Sequence, residues 1–184
     1  MPSSSHSFDP QRLDVERFAR AGACEEGAWP LAGMTRLMQS CDPDAAPGPG
    51  DLVRWQARGE TRRVGGEDQP WLDLDLDATV TLTCQRCLCG VATPLSVRRR
   101  FRFVRGEAQA AALDAEVDED VLATSRSLDL RELAEDELLL ALPIVARHER
   151  CPTPLVAPAD TALADGHGPA HPFAALAELK KVRH

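Results

Sequence analysis

The sequence predicts an α+β fold: a mainly antiparallel β-sheet with a long central hairpin, one packed helix near residues 129–142, and short terminal helices. Two observations carry this prediction. Residues 72–83 and 91–103 alternate between apolar and polar side chains, which is typical of strands with one buried and one solvated face. Residues 130–142 instead place leucine and alanine at helical spacing.

Length and charge limit the possible functions. The 184 residues suffice for one domain with a real core, or for a domain with tails. A net charge of −8 argues against a general nucleic-acid coat protein, so any RNA contact must come from a local basic patch. With five Phe, three Trp and no Tyr, an aromatic platform for stacking bases is not expected.

The sequence predicts a cytoplasmic protein. No apolar run approaches the roughly 20 residues that span a bilayer, and the N-terminus lacks the basic start and apolar stretch of a secretory signal. Six cysteines in such a protein more often mean metal ligands or free thiols than disulfides.

Composition divides the chain into four segments. Residues 1–8 are expected to be disordered, and residues 9–151 to form a single α+β domain. The Pro- and Ala-rich residues 152–170 are typical of a flexible linker. Residues 171–184 predict an amphipathic tail helix with a basic end, too short to be stable by itself.

The N-terminal elements are predicted from local signals. Asp9 is expected to cap a short helix with Pro10 in its first turn. Residues 29–38 are ambiguous between strand and helix. A further strand is expected from Leu52 to the Val64-Gly65-Gly66 turn before the central hairpin.

The register of the central hairpin is predicted from its two faces. With the turn centred between Cys87 and Leu88, apolar residues mostly oppose apolar ones and three acids oppose three bases. Two residues fit this pairing poorly: Arg99, and Pro94, which indicates an edge strand or a bulge. The expected charged pairs are Asp77–Arg98, Asp75–Arg100 and Asp73–Arg102.

The following segment should be a surface loop over residues 106–120, running into a short strand near Val117–Ala123. The clearest helix comes next, with Asp129 as N-cap and Glu132 at the position of a capping box. Its leucines predict a well-buried C-terminal half, and Pro143 ends it. Its acids, Glu132, Glu135, Asp136 and Glu137, are expected on a solvated face, or else against a basic partner protein.

Two short motifs can form a metal site. Cys84-Gln-Arg-Cys87 is a C-x2-C knuckle at a hairpin tip, which supplies half of a tetrahedral site. His148-Glu-Arg-Cys151 supplies a second half, so the sequence predicts a Cys3His zinc site linking hairpin and helix. The alternative is a set of unligated, partly buried thiols. Cys89 would be a spare ligand, whereas Cys24 and Cys41 are interpreted as ordinary core or surface residues.

A redox function for the same C-x2-C is a weaker alternative. The thiolate of a redox pair is usually stabilised at a helix N-terminus. Here a strand, Gly90 and Pro94 follow the knuckle instead. No nucleophile elbow, phosphate loop, HExxH or paired carboxylates are present, so no enzymatic activity is expected.

The candidate RNA or partner contacts form a basic cluster and the tail. In the alternative interpretation, three of the five arginines of the cluster are neutralised by the aspartates opposite them in the hairpin. Otherwise the cluster presents a phosphate-binding surface. The candidate residues are Arg98, Arg99, Arg100, Arg102, Arg105, Phe173, Leu176, Lys180 and Lys181.

Three motifs in order resemble the YceD family, the large ribosomal RNA subunit accumulation proteins of bacteria and plastids. They are Val80-Thr-Leu-Thr-Cys-Gln-Arg-Cys-Leu88, Ala134-Glu-Asp-Glu-Leu-Leu-Leu-Ala-Leu-Pro-Ile-Val145 with His148 and Cys151, and Pro172-Phe-Ala-Ala-Leu-Ala-Glu-Leu-Lys-Lys181. His171 replaces the Asn that commonly precedes Pro-Phe in the family. The loops at 42–50 and 152–170 are lengthened.

The resemblance implies a non-enzymatic ribosome-biogenesis factor that supports synthesis, processing or accumulation of large-subunit (23S) ribosomal RNA. Its expected partners are that RNA or its precursor, a ribosomal protein or an assembly factor, and neither a membrane nor a small-molecule substrate. The alternative is a zinc-stabilised protein–protein adaptor without RNA contact. RNA binding through arginines should fall steeply with salt, whereas an adaptor should respond to Phe173→Ala instead.

Overall fold

The computed structural model describes residues 8–152 of the chain. Their elements belong to one compact unit that ends at Arg150. The strands are β1 (Cys24–Pro30), β2 (Leu52–Val64), β3 (Glu67–Thr83), β4 (Gly90–Val104) and β5 (Asp120–Ala123). The helices are α1 (Val15–Arg20), α2 (Thr35–Gln39), α3 (Glu107–Asp114) and α4 (Leu130–Leu140), with a 3-10 turn at Leu31–Gly33.

The five strands form one sheet in the order β1-β2-β3-β4-β5. The first four are antiparallel to their neighbours, and β5 runs parallel to β4 along residues 101–104. A parallel neighbour requires a crossover connection, and α3 lies in that connection. The predicted α+β fold with a mainly antiparallel sheet and a long central hairpin is confirmed.

One face of the sheet carries the core. The alternation in β3 buries six apolar side chains on that face: Leu72, Leu74, Leu76, Ala78, Val80 and Leu82. Phe18 of α1, Leu37 of α2 and Leu138 of α4 belong to the same apolar cluster. The opposite face is polar, and Asp75 and Asp77 are exposed on it. This division fixes which arginines of β4 can reach solvent.

The predicted hairpin register is wrong by two residues. Asp75 opposes Arg98 and Asp73 opposes Arg100, while Arg102 lies opposite Trp71. Because side chains alternate with a period of two, this slip leaves every side chain on its predicted face. The cause is the loop: the last pair is Thr83–Gly90, so residues 84–89 form a six-residue connection centred one residue earlier than expected.

The two imperfections in β4 have structural explanations. Arg99 lies opposite Leu74 on the helix-covered face, and its Nε donates to Oε2 of Glu137 in α4 at 2.9 Å. Pro94 lies where β4 is an edge, because β5 pairs with residues 101–104 alone. A proline costs no sheet hydrogen bond at a free edge, so the edge-strand interpretation is confirmed.

The first helix begins later than predicted. Asp9 does not cap it; the N-cap is Asp14, whose side chain accepts from the Arg17 N–H at 3.0 Å. Phe18 then packs closely over Gly59 of β2, where a Cβ atom would lie 2.7 Å from the ring and 2.8 Å from the Phe18 carbonyl carbon. Close helix–sheet packing therefore requires glycine at this position.

The acidic segment after β4 is not the surface loop that the sequence predicts. Its alanine-rich part forms α3, since alanine has the highest helix propensity. Ala110 packs there against Val104 and Val121. The short strand expected at its end is confirmed as β5, and the ambiguous residues 29–38 contain the end of β1, the 3-10 turn and most of α2.

The predicted cap of α4 is confirmed, whereas its solvated acidic face is partly wrong. The Asp129 side chain accepts from the N–H groups of Arg131 and Glu132. Glu135 and Glu137 are buried, although both were expected in water. Their carboxylates are satisfied by groups from other elements, which no local pattern reveals.

The C-terminal half of α4 is also less buried than predicted. Leu138 is fully buried and Leu139 packs against the core, but the Leu140 side chain is 73% exposed. The helix ends at Leu140, three residues before Pro143. Its last turn therefore leaves apolar surface facing water.

Candidate metal centre

The metal-site candidates meet at the tip of the β3–β4 hairpin. The loop closes through hydrogen bonds from the Cys84 N–H to the Cys89 carbonyl and from the Leu88 N–H to the Cys84 carbonyl, both 2.9 Å. Leu88 adopts the left-handed conformation, with φ of 60°. This turn reverses the chain directly after the second cysteine of the knuckle.

The segment that follows α4 returns to this loop. The Gln85 N–H donates to the Ala146 carbonyl at 2.9 Å. The Arg86 guanidinium donates to the carbonyls of His148 and Glu149. These bonds join positions about sixty residues apart, so the two halves of the predicted site do meet. Sequence reasoning missed the role of Arg86, and no local signal reveals it.

Four side chains form the cluster that the sequence predicts. The ligand atoms of Cys84, Cys87, His148 and Cys151 all lie within 4.8 Å of one another. The Cys87 Sγ is 3.5 Å from the His148 Nδ1, and the His148 N–H lies 3.4 Å from the Cys84 Sγ. Cys84 is fully buried, and the other three are half-buried. This group can hold a metal ion.

The electrostatics at Cys84 favour a cation. Burial raises the pKa of its thiol, but hydrogen bonds outweigh burial and lower that pKa to about 5. The donors are backbone N–H groups of Cys87, His148 and Arg86, joined by the His148 side chain. Cys84 is therefore a buried thiolate at neutral pH, and a buried charge needs a partner of opposite sign.

The separation of Cys87 and His148 fits tetrahedral coordination by zinc. Zn–S bonds of about 2.3 Å and Zn–N bonds of about 2.0–2.1 Å separate sulfur and nitrogen ligands by roughly 3.5 Å at tetrahedral angles. The observed distance from Cys87 Sγ to His148 Nδ1 is 3.5 Å. Four protein ligands complete such a shell and leave no open position, which is typical of structural rather than catalytic sites.

The same geometry weighs against thiol–disulfide chemistry. The acidic thiol is Cys84, which has no exposed surface with which to attack an external disulfide. Cys89 is exposed and hydrogen-bonds the Cys87 carbonyl at 3.5 Å, and its hydrogen bond to the Cys87 side chain raises its pKa. Cys41 is half-buried, and Cys24 is exposed on β1. Neither Cys24, Cys41 nor Cys89 belongs to the cluster.

The arginine cluster is divided between the two faces of β4. Arg100 is paired with Asp73, and Arg99 with Glu137. Arg102 is buried; its Nε donates to Gln69 at 2.6 Å, and its guanidinium lies over Trp71. These three arginines already have partners within the fold.

The remaining two arginines are more available. Arg98 is 85% exposed and reaches Asp75 at 4.0 Å, the limit of an ion pair. Arg105 is exposed beside α3. The tail candidates Phe173, Leu176, Lys180 and Lys181 lie outside the described residues.

Arg98 borders a cleft on the open face of the sheet. The cleft has a volume of about 370 Å³ and is lined by Gln56, Arg58, Asp73, Asp75, Arg98, Arg99 and Arg100. Because the Arg99 side chain pairs with Glu137 on the other face, three arginines against two aspartates give the cleft a positive formal balance in a chain whose net charge is −8. No aromatic side chain lines it, so it suits phosphate groups better than stacked bases.

Within residues 8–152, none of the helices has both the length and the apolar character needed to cross a membrane.

Comparison with protein-family models matches residues 72–180 to the family described as large ribosomal RNA subunit accumulation protein YceD. This range covers more than half of the 184 residues and contains both halves of the metal cluster. No solved structure matches the chain significantly.

Proposed function

Because the chain belongs to the YceD family, we propose that it is a non-enzymatic cytoplasmic factor for synthesis, processing or accumulation of large-subunit (23S) ribosomal RNA. The family match is the observation that carries this proposal. The arginine-lined cleft supports it, because a local positive surface on an acidic chain is what a phosphate backbone would select.

In this proposal the RNA contact is centred on Arg98. Its side chain extends from the open face and, among residues 8–152, has one weak ion-pair partner, so it can turn toward a phosphate at little cost. Arg100 and Arg58 flank it in the same cleft. The contact would be electrostatic and largely independent of sequence, with large-subunit RNA or its precursor as the bound partner.

The cluster of three cysteines and one histidine has a structural role in this proposal, as a zinc site. The ion would fasten the β3–β4 loop to the segment after α4 and neutralise the buried Cys84 thiolate. Protein side chains would fill all four coordination positions of the ion, so the ion would supply no chemistry to a substrate.

The test combines a deletion strain with matched arginine variants. Loss of the gene should lower 23S RNA relative to small-subunit RNA, and the wild-type chain should restore the ratio. Arg98→Glu should restore it incompletely, whereas Arg126→Glu, a change at an exposed arginine away from the cleft, should restore it fully. A normal RNA ratio in the deletion strain would contradict the proposal.

A binding assay separates RNA contact from other routes to the same phenotype. Affinity of the purified chain for precursor RNA should fall with salt, and Arg98→Glu should reduce the magnitude of the log–log slope by roughly 0.7–0.9. If the slope and affinity of Arg98→Glu equal those of Arg126→Glu, the cleft does not bind the RNA.

A further inference from the structure

The large apolar side chains that residues 8–152 leave exposed lie in the knuckle loop, at the end of α4 and in the segment that follows it. They are Leu88 at 74% exposure, Leu140 at 73%, Ile144 at 102% and Val145 at 54%. Single exposed apolar residues are normal on a protein surface, whereas a group of them indicates an interaction site.

The chain connections place these residues around the knuckle. Leu88 belongs to the knuckle loop, and Val145 precedes Ala146, whose carbonyl accepts from Gln85 in that loop. Ile144 follows Leu140, the last residue of α4, by four positions. We call Leu88, Leu140, Ile144 and Val145 the knuckle patch.

The backbone at Leu88 gives a second, independent reason to assign the knuckle patch a function. A φ of 60° is the left-handed conformation, which glycine and asparagine adopt far more readily than a leucine does. The strained backbone at Leu88 is not offset by burial of the side chain, because three quarters of that side chain is exposed to water. The fold therefore gains little from leucine at this position, whereas a docking surface would gain an apolar anchor.

The charged residues beside the patch indicate the chemistry of the partner. Arg86, Arg147 and Arg150 are exposed on residues 84–90 and 141–150, which carry three of the four patch residues, and Glu149 is the one exposed acid among them. This positive rim contrasts with the net charge of −8 of the whole chain. Complementary charge on a partner would steer it to this rim and fix its orientation.

The patch composition favours protein over RNA. All four side chains are aliphatic, and recognition of unpaired bases relies on aromatic or other planar groups for stacking. A second copy of the chain bound about a two-fold axis would bring the arginine rims together. We propose that the knuckle patch docks an amphipathic segment of another protein, in which aliphatic side chains are flanked by Asp and Glu.

The test places a photo-crosslinking amino acid at Ile144 of the full-length chain in its native cells, with Arg126 as the matched control position. The proposal expects crosslinking to one protein at position 144 and not at 126. The captured peptide, identified by mass spectrometry, should carry apolar residues flanked by acids. A synthetic copy of that peptide is then titrated against purified variants.

Three variants, with Arg126→Glu as the control, distinguish a loss of docking from a loss of folding. Leu88→Asn and Ile144→Ser should each weaken peptide binding at least about tenfold, since each removes an apolar side chain buried on docking. Arg147→Glu should weaken it severalfold, and Arg126→Glu should not. Asparagine suits the left-handed backbone, so Leu88→Asn should fold and keep the metal content of the wild type.

Each other outcome would overturn the proposal. Crosslinking to RNA alone, to this chain itself, or to the same products from both positions would exclude a protein docking site. A captured peptide without acids, or peptide binding that Ile144→Ser leaves unchanged, would exclude the partner chemistry. These results leave the role of the cleft open, because the proposed RNA contact uses other residues.

Discussion

Cys84→Ser should abolish metal binding without unfolding the sheet. The four ligand atoms lie within 4.8 Å of one another, so removing one sulfur leaves an incomplete shell around a cation. The hairpin and its apolar cluster do not depend on the ion, because that cluster is built from β1–β4 and the helices. The wild type should contain one zinc per chain, and the variant almost none.

The effect on stability follows from mass action. If free zinc exceeds the dissociation constant of the site about 1,000-fold, binding stabilises the native state by about 4.1 kcal/mol. For a chain of this size, roughly 2–4 °C per kcal/mol places the melting temperature of the metal-free protein about 8–16 °C lower. Chelation of the wild type should give this shift, and Cys84→Ser should give at least as large a shift, since the variant loses both the ion and the hydrogen-bonded thiolate.

Matched serine variants and mass spectrometry of the intact protein provide the assay. Cys87→Ser and Cys151→Ser should lose the zinc as Cys84→Ser does. Cys24→Ser and Cys89→Ser should retain it, because neither sulfur belongs to the cluster. A wild type prepared without chelator that contains no metal would refute the reasoning. If Cys151→Ser retained all of its zinc, Cys151 would not be one of the four ligands.

Three further predictions concern the fold and the thiolate. Gly59→Ala should destabilise the protein by about 1–3 kcal/mol in urea unfolding, because the new methyl meets the Phe18 backbone, whereas Gly50→Ala, in open space, should be nearly neutral. Glu135→Ala should cost about 3 kcal/mol in the same assay, since its buried carboxylate accepts two backbone N–H groups of α2. In metal-free protein, absorbance near 240 nm should show one thiolate titrating near pH 5, absent in Cys84→Ser. Because the pKa of Cys84 is lowered on folding, its contribution to stability should be present above the ordinary thiol range and be lost as the pH falls through about 5.

The sheet could be predicted from sequence because its signals are local. In β3, six apolar side chains alternate with polar ones over twelve residues, and each neighbour in the chain is also a neighbour in the sheet. Strand identity, the buried face and the edge position of Pro94 all follow from such patterns. The register does not, because a pattern with a period of two fits equally well after a slip of two residues.

The charged residues of β3 and β4 could not decide between these two registers. Aspartates and arginines recur every second residue, so the predicted and observed registers both oppose acids to bases. The knuckle loop decides between them, since six residues from Cys84 to Cys89 connect the strands. The backbone hydrogen bonds within that loop therefore determine the register more strongly than the pairs of Asp and Arg do.

The buried acids of α4 could not be predicted because their partners are remote in sequence. Glu135 binds the N–H groups of Arg36 and Leu37, ninety-nine and ninety-eight residues away, and so caps a helix that has no side-chain cap of its own. Glu137 binds Arg99 from β4. A run of acids on a helix is usually solvated, and nothing in the run itself distinguishes these two carboxylates from Glu132.

The register also decides which charged side chains oppose one another across β3 and β4. In the predicted register, Arg98, Arg100 and Arg102 would each oppose an aspartate. In the observed one, Asp77 faces Ser96 and Arg98 is left with a partner at 4.0 Å. Arg102 is instead removed to the Trp71 ring. Arg98 directly opposes an aspartate in both registers, so its availability comes from its exposed side chain and its 4.0 Å separation from Asp75, the condition under which a phosphate can compete for it.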